Sequence, residues 1–98
     1  MKITENVNGT ALCLGLEGRL DTTTAPELEK VLQSGLDGIT ELTFDMKGLD
    51  YLSSAGLRIL LGAQKTMKKQ GSMKVTHVNE TIMEIFEVTG FADILTIE

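Results

Sequence analysis

The chain has 98 residues, 42% of them hydrophobic, and a formal net charge of −5; this is enough for one core, too short for a second domain, and too acidic on average to favour nucleic acid. One cysteine, Cys13, rules out an internal disulfide or a cysteine-built metal cluster and fits a reducing compartment. No run approaches the roughly 20 apolar residues of a membrane span, and Lys2 and Glu5 with no apolar stretch behind them give no signal peptide, so a single cytoplasmic domain over 1–98 is expected, without membrane insertion.

Ile3, Glu5 and Val7 alternate with polar neighbours, and Leu12, Leu14 and Leu16 repeat at period two after Asn8-Gly9. This pattern predicts a hairpin with strands over 2–7 and 10–17 and a turn needing positive φ at both Asn8 and Gly9. The second strand's other face carries only Ala11, Cys13 and Gly15, small enough for close packing, and Cys13 is expected as a small buried core residue.

Thr24-Ala25-Pro26-Glu27 has the form of a capping box, with Pro where a missing N–H costs nothing. Leu28, Val31, Leu32 and Leu36 follow at helical spacing, and Gly35 and Gly38 end the helix. Leu42, Phe44 and Met46 alternate with Glu41, Thr43 and Asp45, predicting a third strand over 41–46. Lys47 to Leu52 reads as a loop leading to Ser53-Ser54.

A second helix over 54–69 follows, apolar along Leu57, Leu60, Leu61 and Met67 and basic along Arg58, Lys65, Lys68 and Lys69. Its last-turn lysines oppose the helix dipole, and Gly71 is the stop. A fourth strand is expected over 73–78. Asn79 then caps a third helix, with Glu80 in its first turn, Ile82, Ile85 and Phe86 facing inward, and Gly90 at its end. A final short strand over 94–97 completes the order β-β-α-β-α-β-α-β. That order implies an α/β fold with a mixed, mostly parallel sheet, an N-terminal β-hairpin and right-handed crossovers.

Sites in such sheets gather where strand ends meet helix starts. Two of these junctions are rich in polar residues: Asp21-Thr22-Thr23-Thr24, and Asp50 through Gly56. On residue type alone, Ser53 and Ser54 suit a helix cap, and Asp21 suits an Asx turn as well as a binding role. No hydrolase constellation can be assembled from one histidine, one cysteine and neither a Gly-x-Ser-x-Gly nor a phosphate-binding glycine loop. No enzyme, catalytic residue, metal or cofactor is therefore expected. His77 reads as structural, and Asp45 lacks the acidic pair that a receiver-type phosphoaspartate needs, in a chain short for that fold. A small-molecule binder using the two junctions ranks low for want of a phosphate cradle.

Leu16-Glu17-Gly18-Arg19-Leu20-Asp21 resembles the strand that precedes the first helix in the bacterial anti-sigma factor antagonist family, the STAS domain. Leu49-Asp50-Tyr51-Leu52-Ser53-Ser54-Ala55-Gly56-Leu57 resembles the loop that enters that family's second helix and carries its phosphorylated serine. Ile85-Phe86-x-x-x-Gly90-Phe91 resembles its third helix and exit. The resemblance implies a STAS-like fold and a partner-switching protein. The unmodified form would bind an anti-sigma factor that is also a serine kinase, freeing a sigma factor, and a serine phosphatase would reset it.

By the same resemblance the phosphorylated residue is Ser54, two residues before Gly56, with Ser53 as the alternative. Ser53 stands where many members carry Asp. Partner contacts are expected from Asp21, Thr22, Thr23, Ser53, Ser54, Ala55, Gly56, Leu57 and Arg58. The family's further C-terminal helix has no counterpart before Glu98. STAS-like domains also serve as subunits or regulatory domains of membrane transport systems, where Ser54 would be a plain cap with no phosphorylation switch.

Overall fold

The computed structural model describes residues 1–98. The elements run β1 (Lys2–Asn8), β2 (Ala11–Leu20), α1 (Ala25–Gly35), β3 (Glu41–Leu52), α2 (Ser54–Gln70), β4 (Ser72–Thr76) and α3 (Glu80–Thr89), followed by one 3-10 turn (Phe91–Asp93). The sheet order is β1-β2-β3-β4. β1 pairs with β2 antiparallel, and β2 with β3 and β3 with β4 parallel. Period-two leucines put Leu12, Leu14 and Leu16, then Leu42, Phe44 and Met46, then Met73 and Val75 on one face of this sheet. The helices pack there through Leu28, Leu32, Leu57, Leu60, Met67, Ile82 and Phe86, all in one core.

The opposite face of the sheet carries no helix, which corrects the reading of Cys13. Cys13 is half-buried on that open face beside Thr4, Asn6 and Asp45, not in the core. Partial burial and the Asp45 carboxylate push its thiol pKa up, against a smaller opposing pull from Lys74.

The hairpin turn sits one residue later than expected. Asn8 pairs with Ala11, so the central residues are Gly9 and Thr10. Only Gly9 has positive φ, 63°, and glycine at the first central position is the chemistry of a II′ turn.

The expected capping box does not form. Thr24 occupies the N-cap without a side-chain cap, because its hydroxyl oxygen accepts from the Asp21 N–H at 2.9 Å while the hydroxyl donates to the Arg19 carbonyl at 2.7 Å. Asn79 does cap α3, accepting from the Ile82 N–H at 2.9 Å and donating to the Leu49 carbonyl at 2.8 Å. Gly90 ends α3 in the left-handed conformation with φ 82°. Leu61, expected on the apolar side of α2, is only half-buried and lies outside the core.

β3 is twice its expected length, because Lys47 to Leu52 are strand and not loop. Between Gly15 and Glu17 of β2, β3 advances from Asp45 to Gly48, and between Gly18 and Arg19 it advances from Leu49 to Tyr51. Each step inserts one extra residue in β3, the signature of a bulge. The inward side chains therefore fall at Met46, Leu49 and Leu52, a spacing of three that hides the strand from a period-two search.

The expected fifth strand is reduced to one bridge, Val75 to Ile97. The Val75 N–H donates to the Thr96 carbonyl at 2.8 Å and the Glu98 N–H to the Val75 carbonyl at 2.9 Å. These bonds cover part of the β4 edge.

Candidate functional site

The two polar junctions meet. Leu20 and Leu52 are register partners at the ends of parallel β2 and β3, and the Ser53 N–H donates to the Leu20 carbonyl at 2.9 Å. The chain thus leaves the sheet at Asp21 and at Ser53 side by side. Gly56 makes the approach possible. A Cβ there would lie 2.6 Å from Leu52 Cδ1 and 2.7 Å from Leu20 Cγ, so only glycine lets the start of α2 sit on these two leucines.

Asp21 organises the first junction as an Asx turn. Its Oδ1 accepts from the Thr23 N–H at 3.0 Å, the Thr23 hydroxyl at 2.8 Å and the Thr24 N–H at 3.2 Å. Its Oδ2 lies 3.6 Å from Arg19 Nε. The Thr23 hydroxyl is the main cause holding the carboxyl below the usual aspartate value; desolvation opposes it, and the backbone N–H groups of Thr24 and Thr23 and the Thr24 hydroxyl add to the lowering. A carboxyl with a depressed folded pKa stabilises the fold above its unfolded pKa and loses that contribution as pH falls through the folded one. Asp21→Ala is therefore expected to be less stable than native at neutral pH. The gap should close on acidification below the ordinary aspartate range, as read by urea unfolding at several pH values.

The second junction separates its two serines. Ser53 is the N-cap of α2, and its carbonyl accepts from the Leu57 N–H at 3.0 Å. Its Oγ makes no cap bond and is enclosed without a partner, a departure from the expected side-chain cap. Ser54, the first helical residue, is exposed. No acidic residue lies in the first turn of α2, so nothing already occupies the positive end of its dipole.

Of the expected contact residues, Thr22, Thr23, Ser54 and Arg58 are exposed, and Asp21, Ser53 and Ala55 are half-buried. Gly56 and Leu57 are buried and hold the helix start rather than face outward. Ala55, Arg58 and Ile59 border a groove whose other wall is Thr22, Ala25, Pro26 and Glu29. That groove continues between α1 and α2 past Leu32 and Gly62 to Gln70.

Arg19 and Tyr51, absent from the expected set, also stand here. They are register partners, and the Arg19 guanidinium carbon lies 4.3 Å from the Tyr51 ring centroid, a cation–π contact. The signal was present in Gly18-Arg19-Leu20-Asp21, but the pairing depends on a bulge that the sequence does not announce. Asp45 and His77 form a separate pair at 3.1 Å, with His77 in the left-handed region at φ 56°.

No helix is long and apolar enough to cross a membrane. A family model described as STAS domain matches residues 1–98. The anti-sigma-B factor antagonist of Bacillus subtilis is 31% identical over 91 residues, covering 92% of this chain and 84% of that protein. The crystal structure of an anti-sigma factor antagonist from Mycobacterium paratuberculosis is similar with a TM-score of 0.88 at 21% identity, over 98% of this chain and 83% of that one. The phosphorylated form of the Bacillus cell fate determinant SpoIIAA is similar with a TM-score of 0.77 at 15% identity, over 99% and 91%.

Proposed function

This chain belongs to the STAS domain family, and from that premise we propose that it is an anti-sigma factor antagonist controlled by phosphorylation of Ser54. Unmodified, it binds an anti-sigma factor that is also a serine kinase and so releases a sigma factor. Transfer of a phosphoryl group to Ser54 ends the binding, and a serine phosphatase restores it. The observation that carries this reading is the exposed Ser54 hydroxyl at the mouth of α2, beside the Asp21 junction, while the Ser53 hydroxyl is enclosed.

The chemistry is one of charge placement. A phosphate brings about −1.5 to −2 charges at neutral pH. At a helix start it meets N–H donors and the positive dipole end, a contribution of about 0.3–1 kcal/mol, so the fold tolerates it. Across an interface the same dianion meets a partner surface that cannot solvate it, at a cost of several kcal/mol. The partner contacts are Asp21, Thr22, Thr23, Ser54 and Arg58, continued by the lysines of α2. Arg58, Lys65, Lys68 and Lys69 take part in none of the chain's ion pairs, which leaves their charge available to acidic groups on the partner.

Reconstitution tests the reading. The host's anti-sigma factor, loaded with its sigma factor, is mixed with this chain and the free sigma factor is measured. Release is expected from the unmodified chain, and little release after incubation with kinase and ATP. Equal release before and after modification would refute the switch.

A further inference from the structure

We propose that the phosphate on Ser54 is held in cis by Arg58, so that one modification both adds a negative charge and withdraws a positive one from the partner surface. The inference rests on the phosphorylation reading above and specifies how the modified site is built. The transfer forms a Ser54 Oγ–P bond as the bond from the γ-phosphorus to the bridging oxygen of ATP breaks. ADP leaves, and the hydroxyl proton passes to the kinase or to water.

Ser54 and Arg58 are four residues apart on α2, hence neighbours on one helix face with Cβ atoms about 5–6 Å apart. Side chains on a helix lean toward its N-terminus, which carries the Arg58 guanidinium toward Ser54 and not away from it. Both residues are exposed on the side of α2 opposite the buried Gly56, Leu60, Ala63 and Met67. Arg58 is free to turn, because no ion pair in the molecule uses it.

Within α2, Ser54–Gln70, there is no aspartate or glutamate to compete for it. Other charges at this end of the sheet are Asp21, already engaged by Thr23, Thr24 and Arg19, Asp50 near the end of β3, Glu27 in the first turn of α1, Glu80 in the first turn of α3, and Glu29 across the groove from Arg58. A guanidinium presents paired N–H donors that match a phosphate's oxygens. Lysine at the same place would act only as a point charge.

The clamp makes a measurable demand on the phosphate itself. A cation held against the dianion favours it over the monoanion and lowers its second pKa, which is ordinarily about 6. Phosphoserine installed at position 54 of the full chain by an expanded genetic code removes any dependence on a kinase. Its ³¹P shift is then titrated in the native background and in Arg58→Gln, Arg58→Lys and Lys65→Gln.

The clamp requires Arg58→Gln to raise the midpoint by about half a unit, roughly a threefold change in the acid dissociation constant. Arg58→Lys should raise it less, and Lys65→Gln, two turns further along, should leave it in place. A midpoint unmoved by Arg58→Gln, or moved equally by Lys65→Gln, would overturn the clamp. All backgrounds are expected to keep native circular dichroism, since both basic side chains point to solvent. Failure of the host kinase to modify Ser54 would refute the switch and leave the clamp standing, whereas an unmoved midpoint would do the reverse.

Discussion

Ser54→Asp is expected to weaken binding to the anti-sigma factor by about 100-fold or more, while Ser54→Ala stays within a few-fold of native. The reasoning starts from the place of the side chain. Ser54 opens α2 and is exposed, and the first turn holds no acid. Aspartate there is favourable for the isolated domain by about 0.3–1 kcal/mol, so thermal unfolding of Ser54→Asp should match or exceed native. In the complex the same carboxylate is pressed against the partner, where opposed or unsolvated charge costs several kcal/mol and each 1.4 kcal/mol is about tenfold in affinity. Alanine removes only a hydroxyl. Titration calorimetry with the host anti-sigma factor separates the cases, and equal affinity of the two variants would remove the electrostatic basis of the switch. Unfolding of Ser54→Asp well below native would instead mean that the modification acts through the fold.

Gly71→Ala is expected to be the most damaging single methyl in the domain, costing about 3 kcal/mol out of a total of about 5–10 kcal/mol for a chain of this size. Gly71 ends α2, its N–H donating to the Met67 carbonyl at 2.6 Å. It lies so close to Thr40 that a Cβ would overlap the Thr40 carbonyl oxygen. That oxygen also accepts the Ser72 N–H at 2.9 Å, the bond that starts β4 beside β3. Backbone cannot rotate aside as a flexible side chain can, so α2 or β4 must shift. The urea midpoint should fall by more than about 1 M. Gly62 is the control within the same helix. It is exposed, nothing lies within 4 Å of a Cβ placed there, and Gly62→Ala should stabilise by roughly 0.5–1 kcal/mol. If both substitutions behave alike, the Thr40 contact is not what makes Gly71 necessary.

Much of this was legible because local chemistry and tertiary structure agree. Leu12, Leu14 and Leu16 lie on the core face that their alternation implied, Asn79 caps the helix it precedes, and Gly90 ends that helix with positive φ. Three of the misses share one physical cause, which is a residue taking a more distant partner in place of the near one. Thr24 gives its hydroxyl to Arg19 and leaves Asp21 to order the turn. Ser53 uses its backbone, not its side chain, to join β2 to α2. The second half of β3 follows the bulges of its pairing with β2, a nonlocal constraint with no local period. At the site, the order of residues on the chain identified both junctions. It could not show that Ser53 turns in and Ser54 turns out, because adjacent serines are chemically the same until a fold distinguishes them.

The most direct measurement is localisation of the phosphate by tandem mass spectrometry after the chain is incubated with its host kinase and ATP. One phosphate on the outward hydroxyl of Ser54, retained in Ser53→Ala and lost in Ser54→Ala, is the expected result. Phosphate on Ser53, on Thr22 or Thr23, or on no residue at all would contradict it.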